Sequence, residues 1–82
     1  MTKAKKTLKA VLDGNTDSNI AFRDLCSLLL ALGFHERVRG SHHSFKRAGV
    51  VGRITLNSDG KLAKAYQVEQ VRKIILEYKL HV

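Results

Sequence analysis

Two adjacent histidines, His42 and His43, lie inside the stretch RGSHHSFKR that runs from residue 39 to residue 47. An imidazole titrates near neutral pH, so it can serve as a general base, and it is also a common metal ligand. Arginine and lysine flank the pair on both sides, and such side chains bind and stabilise phosphate groups. The stretch is therefore compatible with a metal site, a catalytic centre or an ordinary polar strand.

Side-chain alternation separates the two imidazoles if residues 41–47 form a regular strand. His43 then shares a face with Phe45, whereas His42 shares the opposite face with Lys46. Because Phe45 is apolar, its face is expected to pack against the rest of the domain. The alternation thus predicts that His42 is exposed and that His43 lies on or near the core side.

A metal site and a nucleophilic serine both find little support in the sequence. The chain has four histidines and one cysteine, without CxxC, HxxxH or HExxH spacing. Adjacent strand residues point apart, so His42 and His43 are badly placed to bind one ion together. Ser41 and Ser44 lie near a histidine, but no acid is placed to orient it. We therefore expect neither a metal nor a cofactor.

Cleavage of an RNA chain requires less machinery from the protein. The ribose 2′-hydroxyl is the nucleophile, so a base of near-neutral pKa and cations around the phosphate are sufficient. The chemistry alone leaves two interpretations open, a catalytic histidine and a histidine on a basic surface strand.

The net charge and its distribution are compatible with binding to nucleic acid. The chain carries +8, and residues 35–53 hold five arginines or lysines against the single acid Glu36. Such a patch attracts nucleic acid through counterion release, although a solvated face that keeps a small protein soluble has the same composition. Cys26 has no partner for an internal disulfide, and the apolar runs fall short of the ~20 residues that cross a bilayer. A cytoplasmic location is the simplest expectation.

Periodicity predicts an α+β fold with helices and strands in a defined order. A short helix is expected over residues 3–12, and Leu25, Leu28, Leu29 and Leu32 form a helical stripe that Gly33 ends. Strands are expected over residues 36–39, 41–47 and 50–56, and a last helix from about residue 66 to residue 78. Two amphipathic helices would cover one face of a three-stranded antiparallel sheet. One domain over residues 1–82 follows, with an N-terminal helix in residues 1–14 and a core in residues 20–80.

The chain resembles the HicA toxins of bacterial type II toxin–antitoxin systems. The resemblance rests on the leucine helix that ends in Gly33-Phe34, on the strand GSHHSF from Gly40 to Phe45, and on the tail KAYQVEQVR from Lys64 to Arg72. It implies a fold like that of double-stranded-RNA-binding domains, with the helix in residues 3–12 as an addition. It also implies a metal-independent mRNA endonuclease of the stress response that stops translation and is neutralised by a HicB antitoxin.

The resemblance places the catalytic role on His42, the histidine of its Gly-Ser-His motif. Around it we expect RNA contacts from a basic and polar set: Arg37, Arg39, Gly40, Ser41, His43, Lys46, Arg47, Arg53, Lys61 and Lys64. One feature departs from the family pattern, because residues 56–59 read LNSD where many HicA proteins carry Pro-x-His. If that second histidine is a general acid, its role here falls to water or to a cation such as Lys61 or Lys64.

Two other functions remain open from the sequence. The first is a non-catalytic module that binds double-stranded RNA through its shape and phosphates. The second is a small basic protein that acts mainly through a protein partner. A His42→Ala change and the salt dependence of RNA binding separate the three.

Overall fold

A computed structural model describes residues 2–82 as three α-helices, a short 3-10 turn and one antiparallel sheet. The α+β class is as predicted. The elements in chain order are α1 (Lys3–Asp13), the 3-10 turn (Asp17–Asn19), α2 (Phe22–Ala31), β1 (His35–Arg39), β2 (His42–Lys46), β3 (Ile54–Asn57) and α3 (Ala65–Tyr78). No helix within this part of the chain has the length and apolar character needed to cross a membrane.

Helix α1 covers the predicted residues 3–12, and α2 ends just before Gly33 as predicted. The Thr2 side chain caps α1 by accepting a hydrogen bond from the Lys5 N–H, and Gly14 ends the helix with a φ of 73°. Gly33 follows α2 with a φ of 95°, a left-handed conformation that favours glycine. The leucine stripe is buried as expected, since Leu25, Leu28 and Leu29 are fully inaccessible.

The sheet is a meander of order β1–β2–β3 with β2 in the centre. Both pairs are antiparallel, and the register places Arg39 opposite His42 in one pair and Asn57 opposite His42 in the other. The inward face of the sheet carries Phe45, Ile54 and Leu56, which are almost fully buried. The apolar sides of α2 and α3 complete one hydrophobic core with this face.

The third strand is shorter than residues 50–56, the range that alternation favoured. Val50 donates a backbone hydrogen bond of 3.1 Å to the Arg47 carbonyl, which closes a turn, and Gly52 follows with a φ of 78°. These features keep residues 50–53 out of the ladder, and β3 begins at Ile54. Val50 is nevertheless buried, so its apolar side chain reflects packing in the core and not membership of a strand.

The last helix begins at Ala65 although no conventional N-cap side chain precedes it. Gln67 supplies the cap from inside the helix, because its Oε1 accepts a hydrogen bond of 3.2 Å from the Lys64 N–H. Val68, Val71 and Ile75 form the buried stripe of this helix. In α1 the inward residues are Thr7 and Val11, whereas Leu12 is 41% exposed.

Candidate functional site

The face of the sheet that points away from the helices is polar and basic, and we call it the open face. It consists of the residues that alternate with the buried ones: His35, Arg37, Arg39, His42, Ser44, Lys46, Thr55 and Asn57. His42 is exposed there, whereas His43 is turned to the opposite side with Phe45. The alternation argument therefore assigned the two imidazoles to the correct faces.

His42 lies in a shallow depression of about 320 Å³ on the open face. The other residues that line this depression are Arg37, Arg39, Ser44 and Arg53. Arg37 and Arg39 come from β1, His42 and Ser44 from β2, and Arg53 from the residue just before β3. Three guanidinium groups thus surround one imidazole, and none of the described residues lining the depression is a carboxylate. Such a surface is suited to a phosphodiester.

Other predicted contact residues lie outside this depression. Lys46 lines a neighbouring depression with His35, so it belongs to the same face but not to the immediate surroundings of His42. Gly40 and Ser41 form the exposed turn between β1 and β2. Arg47 is withdrawn from the open face, because its Nε donates a hydrogen bond of 2.8 Å to the Leu32 carbonyl at the end of α2.

The two lysines expected as cations near the scissile bond precede α3 and do not line the depression either. The Lys64 ammonium lies 3.0 Å from a carboxylate oxygen of Asp59. The hydrogen bond to that carboxylate, together with its charge, raises the pKa of Lys64 above its usual value. Lys64 therefore holds its proton more tightly than a free lysine does.

His43 belongs to a small polar cluster at the inner side of the sheet. Its Nδ1 lies 2.8 Å from Glu36 Oε2, at hydrogen-bond distance, and its ring forms a T-shaped pair with that of Phe22, with centroids 5.0 Å apart. The Cys26 sulfur is close, with the ligand atoms of all three residues within 4.8 Å of one another. Around a tetrahedral zinc two such ligand atoms would be about 3.3 Å apart, so the His43–Glu36 spacing is that of a hydrogen-bonded pair. His43 is thus held at the inner side of the sheet by its contacts with Glu36 and Phe22.

Burial in this cluster alters the chemistry of the Cys26 thiol. Desolvation, followed by the negative charge of Glu36, raises the pKa of Cys26 to about 11 from the usual 9.0. The thiol thus stays protonated at neutral pH and behaves as a small apolar side chain of the core.

Sequence reasoning missed two residues that shape the end of β3. Gln67 is 1% exposed, and its Nε2 donates a hydrogen bond of 3.1 Å to the Asn57 carbonyl while its Oε1 caps α3. Asn57 is the residue directly opposite His42. A glutamine at the third position of a helix was a signal for the cap, but its second contact depends on where α3 meets the sheet.

These features define a class of protein: a small α+β domain that presents a histidine among arginines on an open antiparallel sheet. Residues 22–76 match the family model described as the HicA toxin of bacterial toxin–antitoxin systems. Because the match covers about two thirds of the chain, the protein belongs to the HicA toxin family, whose systems pair a toxin with an antitoxin. Helix α1 precedes the matched segment. Comparison with curated proteins and with solved structures finds no significant match.

Proposed function

We propose that this HicA family protein is an endoribonuclease that cleaves mRNA and thereby arrests translation. His42 is the general base, and Arg37, Arg39 and Arg53 bind the phosphate. The observation that carries the proposal is the single exposed imidazole placed among three guanidinium groups in one depression. Membership of a toxin family supports the proposal, because cleavage of essential mRNA would be sufficient to make the protein toxic.

The geometry supports a transesterification in which RNA provides its own nucleophile. A ring nitrogen of His42 takes the proton of a ribose 2′-hydroxyl, and the 2′-oxygen forms a bond to the adjacent phosphorus. The bond between phosphorus and the 5′-oxygen breaks, which leaves a 2′,3′-cyclic phosphate and a 5′-hydroxyl. The arginines stabilise the negative charge that develops on the phosphate oxygens, so the step requires no metal ion.

Protonation of the departing 5′-oxygen falls to water in this proposal. Lys61 and Lys64 do not line the depression, and the pairing of Lys64 with Asp59 makes it a weaker acid. His42 is exposed, so solvent reaches the reacting atoms directly. A reaction with one protein base and a solvent acid is expected to be slower than one with two positioned groups.

The antitoxin of the system is proposed to be a HicB-type protein that covers the open face. The face carries Arg37, Arg39 and Lys46, and Arg53 lines its depression, so an acidic or RNA-mimicking surface complements it. Covering the depression would exclude RNA from His42 and thus neutralise the toxin directly.

The test compares purified wild-type protein with His42→Ala on a labelled single-stranded RNA in the presence of EDTA. We expect His42→Ala to reduce cleavage by roughly 100- to 10,000-fold, the usual contribution of a general base. RNA affinity should stay within about threefold, because the arginines are unchanged. The matched control is His35→Ala, which removes an exposed histidine of the same face outside the His42 depression and should cleave normally. Wild-type rates with His42→Ala would contradict the assignment of the base.

A binding module without catalysis is the second candidate, because the same cationic face binds RNA whether or not it cleaves. Four phosphate contacts predict a slope of about −3 for log affinity against log salt on a single strand. A wild-type chain that shows this slope but leaves RNA intact, and whose induced expression does not arrest growth, would favour the binding module.

A further inference from the structure

The ring of the proposed general base forms no hydrogen bond with another of the described residues in this structure. Within residues 2–82 the imidazole that lies within hydrogen-bond distance of a carboxylate is that of His43, whose partner is Glu36. A histidine base works best when a third group accepts a hydrogen bond from one ring nitrogen, which leaves the other nitrogen free to take a proton. None of the described residues that line the His42 depression is acidic, so no carboxylate is placed there to orient the imidazole.

Strand register brings Asn57 beside His42. The two residues are direct partners across β2 and β3. The Ser58 N–H donates a hydrogen bond of 2.9 Å to the Ser41 carbonyl, so residues 41 and 58 form a hydrogen-bonded pair. Because the two kinds of pair alternate in an antiparallel ladder, His42 and Asn57 form a non-hydrogen-bonded pair. Side chains are closest at such positions, where the Cα atoms are about 4.5 Å apart.

The Asn57 side chain belongs to the same face as His42 and is attached to a fixed backbone. Its neighbour Leu56 is fully buried on the inner face, so alternation directs Asn57 to the open face. The backbone carbonyl of Asn57 accepts a hydrogen bond from the buried Gln67 side chain. The end of β3 is thus held both by the β2 ladder and by α3.

The Asn57 amide oxygen is the feature that indicates a role. Among the described residues Oδ1 is the buried side-chain oxygen or nitrogen atom for which the structure provides no hydrogen-bond partner. Buried acceptors are nearly always paired, and an unpaired one is destabilising, so such an exception calls for an explanation. A neighbouring group that can donate to Oδ1 provides one, and the directly opposite side chain is an imidazole.

We propose that Asn57 is a positioning residue for His42. Its Oδ1 accepts a hydrogen bond from one ring N–H of His42 and thereby holds the tautomer whose other nitrogen faces the RNA 2′-hydroxyl. Hydrogen bonds of this kind are often unformed in a free enzyme and tighten when substrate binds. The inference rests on the proposed ribonuclease function and adds to it the residue that orients the base.

Two nearly isosteric changes test the role, Asn57→Leu and Asn57→Asp. Leucine removes the acceptor, and aspartate keeps it at the same distance from the backbone. We expect Asn57→Leu to lower kcat about tenfold or more, the value of one hydrogen bond, with RNA affinity within about twofold. Asn57→Asp should keep kcat near the wild-type value while KM rises, because its charge repels phosphate. The matched control Thr55→Val alters an exposed open-face residue of the same strand and should change neither constant.

A second readout does not depend on cleavage. Nitrogen-15 NMR of the neutral His42 ring, bound to a non-cleavable 2′-deoxy oligonucleotide, reports the tautomer. We expect one tautomer in wild type and Asn57→Asp and a mixture in Asn57→Leu. Mixed tautomers in wild type, or a wild-type kcat for Asn57→Leu, would overturn the proposal. Equal losses for all three variants would also overturn it, since they would indicate damage to the sheet. A wild-type chain that cleaves no RNA would refute the ribonuclease function itself, whatever the tautomer.

Discussion

Replacing Arg72 with methionine is expected to weaken the attachment of helix α1 and the 3-10 turn to α3 and so to destabilise the domain. Arg72 lies on α3, and its guanidinium donates a hydrogen bond of 3.0 Å to the Val11 carbonyl near the end of α1. It also donates two hydrogen bonds, of 3.0 and 3.1 Å, to the carboxylate of Asp17 in the 3-10 turn. One side chain of α3 therefore binds both α1 and the 3-10 turn, and its partners lie 61 and 55 residues earlier in the chain.

The magnitude follows from how far this pair is removed from water. The Arg72 and Asp17 side chains are each 20% exposed, so their interaction is stronger than the 0–1 kcal/mol typical of surface pairs. Hydrogen bonds to charged groups contribute about 1.5–3 kcal/mol each when buried, and the partial exposure reduces that value. We expect Arg72→Met to lower the free energy of unfolding by about 2–3 kcal/mol, out of about 4–12 kcal/mol for a domain of this size. The corresponding fall in Tm is about 10–20 °C.

Thermal and urea unfolding, followed by circular dichroism, measure the change. A double-mutant cycle with Asp17→Asn isolates the ion-pair part, and the control Lys73→Met changes the exposed neighbour of Arg72 on α3. Methionine keeps the unbranched stem and the helix propensity of arginine, so lost hydrogen bonds account for the difference. A coupling energy below about 0.5 kcal/mol, or a loss equal to that of Lys73→Met, would refute the reasoning.

Two further predictions concern Gly33 and Cys26. Gly33→Ala adds a Cβ at a φ of 95° and 3.1 Å from Arg47 Nε, so it should destabilise the protein by about 1–2 kcal/mol. Calorimetry should show a smaller loss for Gly49→Ala, whose φ is 89° but whose Cβ would meet no atom within 4 Å; equal losses would exclude a contribution from the Arg47 contact. Because the Cys26 pKa is raised from 9.0 to about 11, the thiolate fraction at pH 8 falls roughly 100-fold, and disulfide-reagent labelling should slow at least that much relative to the unfolded chain. The folded state favours the neutral thiol, so the associated stability is present below pH 9 and is lost as the pH rises toward 11. Cys26→Ala should lack this loss, and fast labelling of native protein at pH 8 would contradict the assigned burial.

Local periodicity predicted the elements wherever one face is consistently apolar. The leucine stripe and Gly33 identified α2 and its end, and the stripe of α3 was equally clear. Alternation failed at residues 50–53, where Val50 is buried without being in a strand because Gly52 and the turn at Arg47 interrupt the ladder. An apolar side chain predicts that a residue is buried, but burial alone does not distinguish a strand from a packed loop.

The sequence by itself determined which histidine faces outward. The side-chain period of a strand is two, so the apolar Phe45 sets the face of His43 and, by exclusion, that of His42. The basic composition of residues 35–53 likewise determined that this face is cationic. Both conclusions depend only on neighbours along the chain.

Only the tertiary structure decided which side chains surround His42. Strand register brings Arg53 into the depression and sets Asn57 opposite the imidazole, whereas Arg47 is withdrawn to the Leu32 carbonyl. The Arg72–Asp17 pair joins residues 55 positions apart. Such contacts depend on turn lengths, register and the docking of helices, and these are set by the packing of the whole core and not by the local residue pattern.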